Sequence, residues 1–158
     1  MTEPMTITLK AMVDRGEQAA VSQAAALLES ALSTAAGRPV VVRCRFEASL
    51  ESLNASGDAS VAITSLLPEV SSHPLPWAAV AERLSEDYRR LADPESAEPI
   101  AVFVCTVFRN IPADAVDAQS RLIRIRRLNL LAAELSREFP AAAIGVYRLL
   151  CEIASPAP

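Results

Sequence analysis

Residues 100–108 read IAVFVCTVF, a run with no charged residue and with apolar side chains at both odd and even positions. A strand of an open antiparallel sheet alternates apolar and polar residues, because one of its faces meets water. A strand that is apolar on both faces belongs inside a parallel sheet covered by helices on both sides. This single segment therefore constrains the fold class more than any other part of the chain.

The remaining segments fit the same frame. Residues 5–13 (MTITLKAMV) alternate weakly and begin with β-branched residues, the pattern of a strand, and Asp14-Arg15-Gly16 is a turn signal. Residues 17–35 carry Val21, Ala24, Leu28 and Leu32 near helical spacing, and Gly37 and Pro39 close that helix. Residues 40–46 (VVVRCRF) predict a second strand, 48–54 a short helix ended by Ser56-Gly57-Asp58, and 59–64 (ASVAIT) a buried third strand. A loop over 65–76 with three prolines is long enough to be functional. A helix over 77–91 follows Pro76 and stops at Asp93-Pro94, and a long helix over 113–138 places Ile125, Leu128, Ala132 and Leu135 on one face. A short strand over 142–146 and a helix or tail over 147–153 complete the chain.

Strands separated by helices of this length make βαβ units, and their right-handed crossovers put helices on both faces of one sheet. The expectation is a single α/β domain over residues 1–158, with 154–158 as a flexible tail. Its architecture is three-layer α/β/α with a parallel sheet of about five strands, in the flavodoxin-like doubly wound order.

Composition limits the function classes. Hydrophobic residues make up 51% of the chain and aromatics only 4%, so the core is aliphatic. The net charge of −4 gives no basic field to displace the counterions of a nucleic acid. Lys10 is the only lysine beside fourteen arginines, a bias expected of a GC-rich bacterial genome. Cys44, Cys105 and Cys151 are irregularly spaced, there is no CxxC, and His73 is the single histidine, which argues against a disulfide framework and a Cys/His metal site. Four glycines form neither GxGxxG nor GxxxxGK[ST], so no phosphate-cradling loop or nucleotide cofactor is implied. Neither a signal peptide nor a bilayer-spanning run is evident, and a cytoplasmic location is the expectation.

In an open α/β sheet the ligand sits outside the carboxyl ends of the strands. That rule selects Asp14 and Arg15 after the first strand, Glu47 after the second, Thr64 and Ser65 after the third, and Arg109 and Asn110 after the fourth. Arg109 is placed to clamp a carboxylate or phosphate. Arg121 and Arg124 lie beside the apolar stripe of the long helix, so each must reach past the sheet edge, pair with a carboxylate, or meet an anion or a partner. Ser65 has the position of a nucleophile, and a Ser65–His73 pair is conceivable, yet no orienting acid accompanies it. Cys105, in mid-strand, reads as packing, and Trp77 as an anchor of the preceding loop.

The region from Ile100 to Arg148, with the segments PIAVFVCTVFRNIP, IRRLNLLAAELSREF and AAIGVYRLL, resembles the second half of the SGNH/GDSL hydrolase family. The resemblance implies a flavodoxin-like three-layer fold. The family's catalytic blocks do not carry over. Its Gly-Asp-Ser turn corresponds to Val13-Asp14-Arg15, so Arg15 stands in the nucleophile's place. Its strand-end Asn corresponds to Thr64-Ser65-Leu66-Leu67-Pro68, and no Asp-x-x-His occurs. What the resemblance then implies is a non-catalytic binding or assembly module, with no catalytic residues, taking a protein partner, a second copy of itself, or a small anionic ligand. Two alternatives stand beside it: an unorthodox ester hydrolase or acyltransferase working at the carboxyl edge of the sheet, and a flavodoxin-like protein that binds a small anion.

Overall fold

The computed structural model describes residues 3–55, 60–70, 75–92, 100–107, 116–138 and 145–147. Strand β1 (Met5–Met12) leads through a 3₁₀ turn (Arg15–Glu17) into helix α1 (Gln18–Ala36). Next come β2 (Val40–Phe46), α2 (Leu50–Ala55), β3 (Val61–Ser65), a second 3₁₀ turn (Leu67–Val70) and α3 (Trp77–Leu91). The chain continues through β4 (Ala101–Cys105), α4 (Ala118–Glu138) and β5 (Gly145–Tyr147).

The strands form one sheet in the order β2-β1-β3-β4-β5, and every pairing is parallel. Four of them run five residues or more, and β5 adds three residues beside β4. The doubly inward-facing strand read at 100–108 is β4, between β3 and β5.

The period of two along the strands sorts the core into two layers. Leu9, Ala11, Ile63 and Cys105 pack on Val21 and Ala25 of α1. Ala62, Val102 and Val104 pack on the other face with α2, α3 and α4, where Leu53, Leu84, Tyr88, Ile125 and Leu128 are almost wholly buried. These are the three layers of an α/β/α fold. Lys10 is fully buried, and its register puts it on the face that carries α2, α3 and α4. Gly37 closes α1 in the left-handed conformation (φ 61°), as its placement after the last helical residue predicts.

Two boundaries depart from the sequence reading. The long helix begins at Ala118 and not at 113: Val116 and Asp117 form a turn, Asp117 has φ 65°, and its carbonyl accepts the Arg121 N–H at 3.0 Å. The stretch read as a continuous loop from 65 contains the last residue of β3 and the 3₁₀ turn Leu67–Val70. Of the two thiols that lie among the described residues, Cys105 is buried and Cys44 half-buried; neither forms a disulfide there, and burial raises the Cys44 pKa. Cys151 lies outside the described residues. No described helix is long and apolar enough to cross a membrane.

Candidate functional site

The carboxyl edge of the sheet carries two different arrangements. The first lies over β1 and β3. Asp14 caps the 3₁₀ turn: its Oδ1 accepts the Gly16 N–H at 2.9 Å, and the Glu17 carboxylate returns to accept the Asp14 N–H through Oε2 at 2.9 Å. This reciprocal capping box satisfies two backbone donors that the turn would otherwise orphan. The other oxygen of Glu17, Oε1, accepts the Ser65 hydroxyl at 2.9 Å. Ser65 Oγ in turn accepts the Leu67 N–H at 3.1 Å. The Ser65 residue is 2% exposed. Its hydroxyl therefore joins β3 to the turn after β1, with its proton donated to a carboxylate and its lone pair engaged by a backbone amide.

Arg15 opens this turn and is exposed. Beneath, Thr64 Oγ1 and Tyr88 Oη share a 2.6 Å hydrogen bond in the core, and burial pushes the Tyr88 phenol well above its ordinary range. Arg109, Asn110 and His73 lie outside the described residues. Among the described residues there is no cluster of three or more His, Cys, Asp or Glu side chains suited to a metal ion.

The second arrangement lies between the Leu67–Val70 turn and the N-terminal ends of α3 and α4. Glu69 ties the three together. Its carboxylate accepts Arg83 Nη2 of α3 at 2.8 Å from each oxygen, and its carbonyl accepts Arg124 Nε of α4 at 2.6 Å. The Arg124 that the helical wheel placed beside the apolar stripe thus reaches a backbone acceptor 55 residues earlier in the chain, not a carboxylate. Its Nη2 is buried and has no hydrogen-bond partner among the described residues. Arg127 sits over the Trp77 ring at 5.7 Å from the centroid, within cation–π range. Arg121 is exposed one turn above Arg124.

Trp77 and the three arginines of α4 line an open pocket of about 590 Å³. Arg121, Arg124 and Arg127 enter it at i, i+3 and i+6 of α4, and Trp77 and Val70 supply part of its apolar wall. Farther down α4, Asn129 holds the helix to the end of β4: its Oδ1 accepts the Val107 N–H at 2.8 Å and its Nδ2 donates to the Val107 carbonyl at 2.9 Å.

Of the sequence candidates, Asp14, Arg15 and Ser65 come together at the first arrangement, and Arg121 and Arg124 at the second. Sequence reading missed Glu17, Glu69 and Arg127. The Asp-x-x-Glu spacing of Asp14 and Glu17 is the one local signal that marks a capping partner. Glu69 lay in apparent loop, and Arg127 on an exposed position of the helix. Trp77, read as a loop anchor, does pack on the core and also carries Arg127. No protein-family model and no curated protein matches the chain.

Proposed function

We propose that the protein is a non-catalytic binding module on a flavodoxin-like α/β scaffold, akin in architecture to SGNH hydrolases and without their relay. The observation that carries this reading is the state of Ser65. A serine nucleophile needs a base positioned to take its proton and free donors for the developing oxyanion. Ser65 is 2% exposed and so closed to an ester carbonyl. Glu17, the carboxylate that accepts its hydroxyl, is also engaged by the Asp14 amide, and the Leu67 N–H is spent on Ser65 itself and not on an oxyanion. This region acts as a brace between β1 and β3.

A fluorophosphonate probe tests the reading. The folded protein is expected to leave Ser65 unlabelled and to hydrolyse p-nitrophenyl esters at the rate of the Ser65→Ala variant. Stoichiometric labelling of Ser65, or turnover that the substitution abolishes, supports the ester hydrolase or acyltransferase instead.

Self-association is a second reading, favoured by a separate observation. Strand β2 forms one edge of the sheet, and Met5, Val41 and Phe46 are exposed apolar residues on it and on its neighbour. The N–H groups of Val40 and Val42 on this edge are taken by Ser33 Oγ and Glu29 Oε2 of α1, so a second copy would pair along the part of the edge beyond Val42; two-fold dimers are the commonest assemblies. Sedimentation equilibrium decides between a monomer and a dimer, and Phe46→Lys is expected to dissolve a dimer built on this edge.

A further inference from the structure

We infer that the pocket between the Leu67–Val70 turn, α3 and α4 binds an organic phosphate monoester. The inference rests on the binding-module reading and names the ligand class.

The charge argument comes first. Arg121, Arg124 and Arg127 line the pocket, and no ion pair is found for any of them among the described residues. The arginines of α3 differ: Arg83 meets Glu69, Arg89 meets Glu138, and Arg90 meets Glu86. Among the described residues, Asp117 is the one carboxylate in the lining. Three guanidiniums and one carboxylate give the described lining a formal charge of +2, which matches a phosphate monoester near neutral pH, of charge about −1.5 to −2. A carboxylate ligand would leave roughly half of that field uncompensated.

Donor geometry points the same way. Arg124 is tethered through Nε to the Glu69 carbonyl, so its guanidinium is oriented before any ligand arrives. Its Nη2 lacks an acceptor among the described residues, and a buried charged donor without one is costly. Nη2 itself is closed to water, so an anion in the pocket meets the charge of the fixed Arg124 guanidinium and the exposed donors of Arg121 and Arg127. Ser120 adds a hydroxyl from the first turn of α4, where the helix dipole also favours an anion.

The remaining walls select the rest of the ligand. Val70, Trp77, Val116 and Ile123 are apolar. Inorganic phosphate would leave them unused, whereas an apolar or aromatic ester group covers them.

Calorimetric titration of the full chain with phenyl phosphate, inorganic phosphate and benzoate tests the inference. Phenyl phosphate is expected to bind at least tenfold more tightly than either of the others, and the affinity is expected to fall as salt rises. Arg121→Ala, at an exposed position that carries no packing, is expected to weaken phenyl phosphate at least tenfold. Arg126→Ala, on the same helix and outside the pocket, is expected to leave it unchanged. No binding of phenyl phosphate at millimolar concentration overturns the inference, as does benzoate binding equally well or an equal loss in both variants. These outcomes are separate from serine labelling: a labelled Ser65 removes the non-catalytic reading, and a failed titration removes only the phosphate pocket.

Discussion

The brace over β1 and β3 and the pocket beside α4 occupy the same edge of one sheet, yet their polar groups are in opposite states. At the brace, Asp14, Glu17, Ser65 and the Leu67 amide satisfy one another within a few ångströms. At the pocket, three guanidiniums share one wall and Arg124 keeps a buried donor without an acceptor among the described residues. Polar groups that are already matched among themselves have little left to offer a ligand. Polar groups left unmatched are held there at a cost to stability, which a ligand can relieve. Position at the carboxyl edge is therefore necessary for a site in this fold without being sufficient, and the state of the hydrogen bonds discriminates.

The comparison can be broken most forcefully where the pocket wall is held to the sheet. Asn129→Leu removes both partners of the Val107 backbone groups and is expected to cost about 2–4 kcal/mol in chemical denaturation, two unsatisfied groups at roughly 1–2 each. A loss below about 0.5 kcal/mol would mean that water replaces Asn129 and that α4 is held by its apolar face alone.

Ser65→Ala should act at the brace and nowhere else. It removes a hydroxyl that serves Glu17 and Leu67, for an expected loss of about 1–2 kcal/mol. In a domain of this size that lowers Tm by roughly 2–8 °C, measurable by calorimetry. Phenyl phosphate affinity should be unaffected, since Ser65 does not line the pocket.

The buried phenol beneath the edge gives a pH test. Burial raises the Tyr88 pKa in the folded protein, so folding favours the protonated form. The stability this contributes is fully present below the unfolded tyrosine pKa of about 10 and is lost as pH rises towards the higher folded value. Thermal melts between pH 9 and 11 should fall more steeply for the native chain than for Tyr88→Phe. Equal slopes would show that another group governs the alkaline limb. The smallest effect belongs to a matched surface pair: Arg89→Ala should change stability by less than about 0.5 kcal/mol, because Arg89 and Glu138 are both well exposed.

The layers of the fold were legible from patterning, and the site was legible only in part. The strand at 40–46 and the helix at 77–91 have the bounds read from the residues, because Pro39 and Gly37 in one case and Pro76 in the other punctuate them. The long helix starts later than its apolar period suggests, since the left-handed Asp117 ends the preceding turn and no proline or glycine there announces it. Arg124 stood out because it was a charge beside an apolar stripe. Its actual acceptor was invisible, because a backbone carbonyl at Glu69 has no residue-type signature and the contact spans 55 residues. Ser65 was legible by position, while its engagement with Glu17 depends on how β1 and β3 align, a register set by tertiary packing.

The contrast between brace and pocket is most directly measured by amide chemical-shift mapping during a phenyl phosphate titration of the full chain. The account predicts saturable shifts at Val70, Trp77 and residues 116–127, with Asp14, Glu17, Ser65 and Leu67 unmoved. Shifts centred on Asp14, Glu17 and Ser65, with the α4 amides unmoved, would contradict it.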